Sequence, residues 1–211
     1  YAEAREKFLA AAHAKDLAVD SYELDLQGAR DETLATDVVF DGPRDASKLL
    51  VVLSGVHGVE GFPGSAAQTG ALRLDLAKPD DTAILYVHAI NPHGYSHLRR
   101  VTQENVDLNR NFIDFDGPLP QNQGYPEIHE ALLPAQWPPE DDQVLQQYRW
   151  THGDKKLQCA ISLGQYHYPD GMFFGGHGPT WSNATFRQIL RTYAAQARVI
   201  ASVDIHTGLG P

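Results

Sequence analysis

The chain has 211 residues, 42% hydrophobic and 21% charged, which is the balance of an ordinary globular protein with material for one sizeable core. A formal charge of -10, with 17 Lys and Arg scattered rather than gathered into a stripe, argues against a nucleic-acid partner, and no apolar run reaches the roughly 18 residues that span a bilayer. A single cysteine, Cys159, rules out an internal disulfide and a CxxC pair, and the first residues lack a basic-then-apolar leader, so the expectation is one cytoplasmic domain over residues 1–211 with no membrane partner.

Residues 3–18 are rich in strong helix formers and bring Phe8, Leu9, Ala12 and Leu17 near one face, which predicts a surface helix. The alternation of Tyr22, Leu24 and Leu26, then the stretch Thr36 to Phe40 closed by Asp41-Gly42-Pro43, predicts two half-buried strands at a sheet edge. Residues 48–53 and 83–90 are continuous apolar runs, the pattern of strands buried on both faces. Between them 63–76 reads as a helix opened by Pro63, so the order is strand, loop, helix, strand, the grammar of an α/β fold. From Asn91 to Gly178 the chain is dense in Pro, Gly, Asn, His and Tyr, which predicts long functional loops broken only by a short helix at 140–150. An amphipathic helix over 180–197 and an apolar strand over 199–205 follow, with His206 at the strand's end.

Chemistry enters at Ser54-Gly55-Val56-His57-Gly58-Val59-Glu60-Gly61-Phe62-Pro63, where a histidine and a carboxylate stand three apart in a glycine-rich loop after an apolar run. Imidazole with carboxylate suits zinc, and a catalytic zinc site takes three protein ligands and one open position. With ten histidines in the chain, His-x-x-Glu alone is a weak signal and fits equally a helix start with incidental polar residues. The best third ligand is His206, because ligand sites in open α/β sheets lie beyond the carboxyl ends of strands, and 49–53, 83–90 and 199–205 all run into polar residues there. The second cluster, Glu104-Asn105-Val106-Asp107-Leu108-Asn109-Arg110-Asn111-Phe112, is hard to explain by packing; its Asn-Arg pair is suited to gripping a carboxylate, with Arg99-Arg100 a further source of positive charge. No GxSxG elbow surrounds Ser54 or Ser162, which argues against a serine hydrolase. His88, His93 and His97 read as structural, His129 as a surface residue, and the aromatic and glycine-rich 166–178 segment as either cleft wall or plain loop packing.

Taken in order, His57-x-x-Glu60, Asn91-Pro92-His93-Gly94-Tyr95, an arginine, Asp107-x-Asn109-Arg110-Asn111-Phe112 and Asp204-Ile205-His206 resemble the zinc carboxypeptidase superfamily, which includes the succinylglutamate desuccinylases and aspartoacylases. The match covers about residues 47 to 208 and looks closest to a bacterial branch with Asp204-Ile205-His206-Thr207-Gly208-Leu209-Gly210 as its hallmark. The resemblance implies an α/β three-layer sandwich around a mixed, mostly parallel sheet, of the zinc exopeptidase-like kind and truncated on its C-terminal side. It implies Zn2+ held by His57, Glu60 and His206, with Asp107 orienting a ligand histidine, Asn109 and Arg110 binding the substrate's free carboxylate, and Arg100, or its neighbour Arg99, stabilising the oxyanion. The implied reaction is hydrolysis of an amide next to a free carboxylate, in a small peptide or an N-acyl amino acid, with the peptidase motifs slightly the better fit. The superfamily's general base is a glutamate well after the third ligand, and none follows His206 here, so the chain reads as the N-terminal part of a longer enzyme or as a non-catalytic zinc-binding domain. An exposed apolar sheet edge is then expected.

Overall fold

The computed structural model describes residues 1–74 and 76–208, so Asp75 of the predicted 63–76 helix and Leu209 and Gly210 of the C-terminal hallmark lie outside the described residues. In chain order the elements are α1 (Ala2–His13), β1 (Val19–Gln27), β2 (Thr33–Asp41), β3 (Lys48–Ser54), α2 (Gly61–Leu74), β4 (Thr82–His88), α3 (Pro92–Ser96), α4 (Leu108–Asn111), α5 (Tyr125–Leu132), α6 (Gln143–His152), α7 (Asp154–Ser162), α8 (Trp181–Tyr193) and β5 (Val199–Ile205). They fall into two compact units, Tyr1–Gln103 with Trp181–Pro211, and Glu104–Thr180.

In the first unit one five-stranded mixed sheet runs in the order β1-β2-β4-β3-β5. β2 is antiparallel to both β1 and β4, while β3 is parallel to β4 and to β5. The chain therefore leaves β3 for β4 on one side and later returns to β5 on the other. The fork beyond the ends of β3 and β5 is a topological switch point, where α/β sheets open a crevice. α1 and α2 cover one face of the sheet through a core of Phe8, Ala12, Val39, Leu72, Ile84 and Tyr86.

Several local readings give way to tertiary demands. The first helix ends at His13 rather than at residue 18, because Asp16 turns left-handed (φ 54) and the Leu17 amide returns to the Ala12 carbonyl, which carries Leu17 into the core. β2 is buried almost throughout rather than on one face. Its Asp37 is fully buried and held by two bonds from Arg5 (2.7 and 2.9 Å) and one from Ser21 (2.6 Å). The fourth strand stops at His88, since Ala89 also adopts a left-handed conformation (φ 60). β5 forms the far edge of the sheet, and Val199, Ile200 and Val203 are about half exposed, so the expected apolar edge is present.

The second unit corrects the expectation of long loops. It contains α4, α5 and α7 as well as the predicted helix, here α6, and Pro126 opens α5 where it reads as a loop residue. Ile128, Leu157 and Ala160 make its small core, packed by Leu132, Leu145, Tyr148 and Ile161. His129 is buried rather than on the surface, with its ring against Tyr168 and Tyr125. Residues 165–178 fold back on themselves through a bridge between Gln165 and Phe174, with Asn111 tying down Gly175, Gly178 and Thr180.

Candidate metal centre

The strand ends that carry the site are locked before the site begins. Gln68 of α2 donates to the carbonyls of Val52 (2.8 Å) and Val87 (3.1 Å) and accepts from Ser54 Oγ (2.8 Å), and Ser54 Oγ accepts the Ala89 amide. One buried amide side chain thereby holds the ends of β3 and β4 in register. Gly55 then turns left-handed (φ 70) with Ala89 Cα 3.2 Å from where a Cβ would stand, so a side chain there meets both strain and crowding.

Beyond Gly55 the chain reaches His57 and a single 3-10 turn, Gly58–Glu60, that runs into α2. The turn is held from outside: the amides of Gly58 and Val59 donate to the carbonyls of Arg100 and Arg99. A Cβ on Gly58 would stand 1.9 Å from the Gly94 carbonyl carbon, so α3 packs directly on the turn. Asn91 fastens the assembly, capping α3 through the Gly94 amide (2.9 Å) and reaching the carbonyls of Val56 and Arg100. The Asn91-Pro92-His93-Gly94 motif thus serves as the scaffold of the ligand loop.

His57, Glu60 and His206 meet at the switch point, with one potential ligand atom from each within 4.8 Å of the others. His57 Nδ1 is 2.9 Å from Glu60 Oε1, His206 Nδ1 is 3.6 Å from Glu60 Oε2, and the two imidazole rings are 4.8 Å apart. His57 is buried at 4% exposure, while the His206 side chain is 28% exposed, so the cluster is anchored on one side and open on the other. Burial pushes the Glu60 carboxyl up, but hydrogen bonds from Thr207 and His57 outweigh it and hold it below its usual range. Glu60 is therefore a carboxylate ready to coordinate.

Asp204 is the residue that sequence reasoning missed. Its Oδ2 lies 2.6 Å from His206 Nε2, which leaves Nδ1 of the same ring turned to Glu60. A carboxylate on one ring nitrogen fixes the tautomer and orientation of a ligating histidine. The available signal was the strand period of two, which puts Asp204 and His206 on the same face. Burial raises the Asp204 carboxyl, with His206 and His57 pulling the other way.

Of the other expected site residues, Arg100 is partly buried and Arg99 exposed, and their backbone lies against the ligand turn. The remaining three belong to the second unit. Asp107 is fully buried and caps α4 through the Asn109 amide (2.9 Å), and Asn109 itself is exposed. Arg110 donates to the Ser162 carbonyl (2.6 Å) and lies 5.8 Å over the Phe173 ring, while Tyr166 donates to its carbonyl.

A mixed α/β sheet with a two-histidine, one-carboxylate cluster at its switch point defines an α/β protein with a candidate metal centre. The chain belongs to the family described as "Protein of unknown function (DUF2817)", which matches residues 1–211. No curated protein matches it. Among solved structures it is similar to a glutaminyl cyclase of Porphyromonas gingivalis, at 14% identity and a TM-score of 0.26, over 39% of this chain and 34% of that one. The chain thus spans about a third of that protein's length. No helix among the described residues is long and apolar enough to cross a membrane.

Proposed function

We propose that this chain carries the metal centre of a zinc-dependent hydrolase related to the zinc carboxypeptidase superfamily, acting on an amide next to a free carboxylate in a small peptide or N-acyl amino acid. The observation that carries this reading is the convergence of His57, Glu60 and His206, contributed by two strand ends far apart in sequence, with donor atoms within 4.8 Å. Two imidazoles and a carboxylate with one open side are the donor set of a catalytic zinc site. Zinc at such a site supplies a Lewis acid that polarises a carbonyl and lowers the pKa of water towards about 7.

The chain's own residues divide the remaining work. Asp204 holds His206 in the tautomer that offers Nδ1, and the 3-10 turn fixes the spacing of His57 and Glu60. Arg100 is assigned to charge developing on the scissile carbonyl, Asn109 and Arg110 to the substrate carboxylate, and Asp107 to orienting a ligand histidine. A zinc exopeptidase-like three-layer arrangement around the sheet belongs to the same reading.

Metal content and turnover test it together. Purified protein is expected to hold one equivalent of zinc by elemental analysis, and His57→Ala and His206→Ala each to lose it at neutral pH. A panel of blocked dipeptides with free C-termini and N-acyl amino acids is offered to this chain and to a longer version that supplies the general base, and cleavage of some members is expected from the latter. Full zinc occupancy in both variants discards the ligand set. Zinc without turnover of any substrate, both in this chain and in a longer version of it, keeps the centre and discards the hydrolase.

A further inference from the structure

The first unit contains a cavity of about 740 Å³, bounded by the start of α1, the turn between β1 and β2, α2 and α3, and none of the three candidate ligands lines it. Its size falls within the range of small-molecule sites. Phe62, Ala66, Tyr95 and Leu98 supply an apolar wall. Thr69 lines it too, at 6% exposure, and its hydroxyl has no hydrogen-bond partner among the described residues. A buried hydroxyl left unsatisfied costs free energy, and a ligand group reaching it removes that cost. Nearby, Ser65 Oγ is already engaged with His88 Nε2 at 2.8 Å.

The charges around the cavity are not balanced one for one. Glu3 is tied to Lys7 (2.6 Å), and Glu32 accepts from Ser96 and from the Arg30 amide. Arg30 and Arg73, both exposed, line the same cavity, and neither makes an ion pair among the described residues. Two arginines without carboxylate partners beside an apolar wall are suited to a ligand with an acid group at one end.

We infer that this cavity binds a small organic anion, its apolar body against Phe62, Tyr95 and Leu98, a polar group at the Thr69 hydroxyl, and its acid group at Arg30 and Arg73. The site is separate from the metal triad and does not depend on what the triad binds. Gly70 makes the inference testable. It lies on the cavity wall in α2, and a Cβ built on it meets nothing within 4 Å. A leucine there fills the space and also raises helix propensity, so Gly70→Leu should fold at least as well as the parent.

The probes are 3-phenylpropionate and its uncharged amide, titrated calorimetrically into the parent, Gly70→Leu and Arg30→Gln/Arg73→Gln. The expected result is saturable one-to-one binding of 3-phenylpropionate by the parent and a loss of at least about tenfold in Gly70→Leu at an unchanged or higher Tm. The double arginine variant should lose several-fold for the acid and nothing for the amide. No saturable binding by the parent, or undiminished binding by Gly70→Leu, overturns the site. Equal affinity of the parent for acid and amide overturns its assignment to anions.

Discussion

His206 meets a carboxylate at each ring nitrogen, Asp204 at Nε2 and Glu60 at Nδ1, and the two contacts differ in kind. The 2.6 Å contact to Asp204 is a hydrogen bond that sets which nitrogen carries the proton, whereas the 3.6 Å separation from Glu60 leaves room for an ion between them. Asp204→Asn keeps the size of the side chain but lets it donate as well as accept, so the tautomer is no longer enforced. Zinc affinity, measured by competition with a chromophoric chelator, is expected to fall about 10- to 100-fold, the usual effect of removing such a partner. An unchanged affinity would remove Asp204 from the centre.

At the scale of elements, the ligand turn is held by the surfaces packed on it more than by its own three residues. Gly58 has α3 backbone where a Cβ would go, at 1.9 Å from Gly94 C and 2.1 Å from Tyr95 N, so neither side yields by side-chain rotation. Gly58→Ala must push the turn and α3 apart, with an expected cost of about 3 kcal/mol or more on the scale of severe overpacking. Chemical denaturation should report that loss, and zinc stoichiometry should fall with it; a variant as stable and as metal-competent as the parent would contradict the packing. The glycines, the proline and the polar strand ends of this region were legible in the sequence because each has a local signature. Three apolar strands and the order of the ligands were legible for the same reason. What stayed hidden was non-local. The full burial of β2 on both faces goes with Arg5 reaching Asp37 from α1, and Asp16 sits in a run of good helix formers until Leu17 is drawn into the core. In the second unit, proline and glycine density concealed α3-like helix starts such as Pro126, because proline signals a loop and a first helical turn equally well.

For the whole molecule, one buried group sets an acid limit on stability. His88 is fully buried, stacked on Phe8 and bonded to Ser65, and burial lowers its pKa to about 4, with Asp37 opposing the shift and Arg5 reinforcing it. The unfolded chain binds a proton near 6.5 that the folded chain refuses until about 4. Stability therefore falls as pH drops through that window, by roughly 3 kcal/mol at its lower end from this group, and is unaffected by it above the window. Urea unfolding at pH 7 and pH 4.5 should show the slope in the parent and a shallower one in His88→Gln; equal slopes would exclude His88 as the cause. The switch point has a consequence in time as well as in space. The hydrogen bond from Thr207 to Glu60 joins residues 147 positions apart, so the third ligand comes to the first two across a long stretch of chain. Closing so long a loop is entropically slow, and a metal that bridges it acts as a removable cross-link. A metal held at this centre would add that cross-link to the β3–β5 pairing that already spans the same separation.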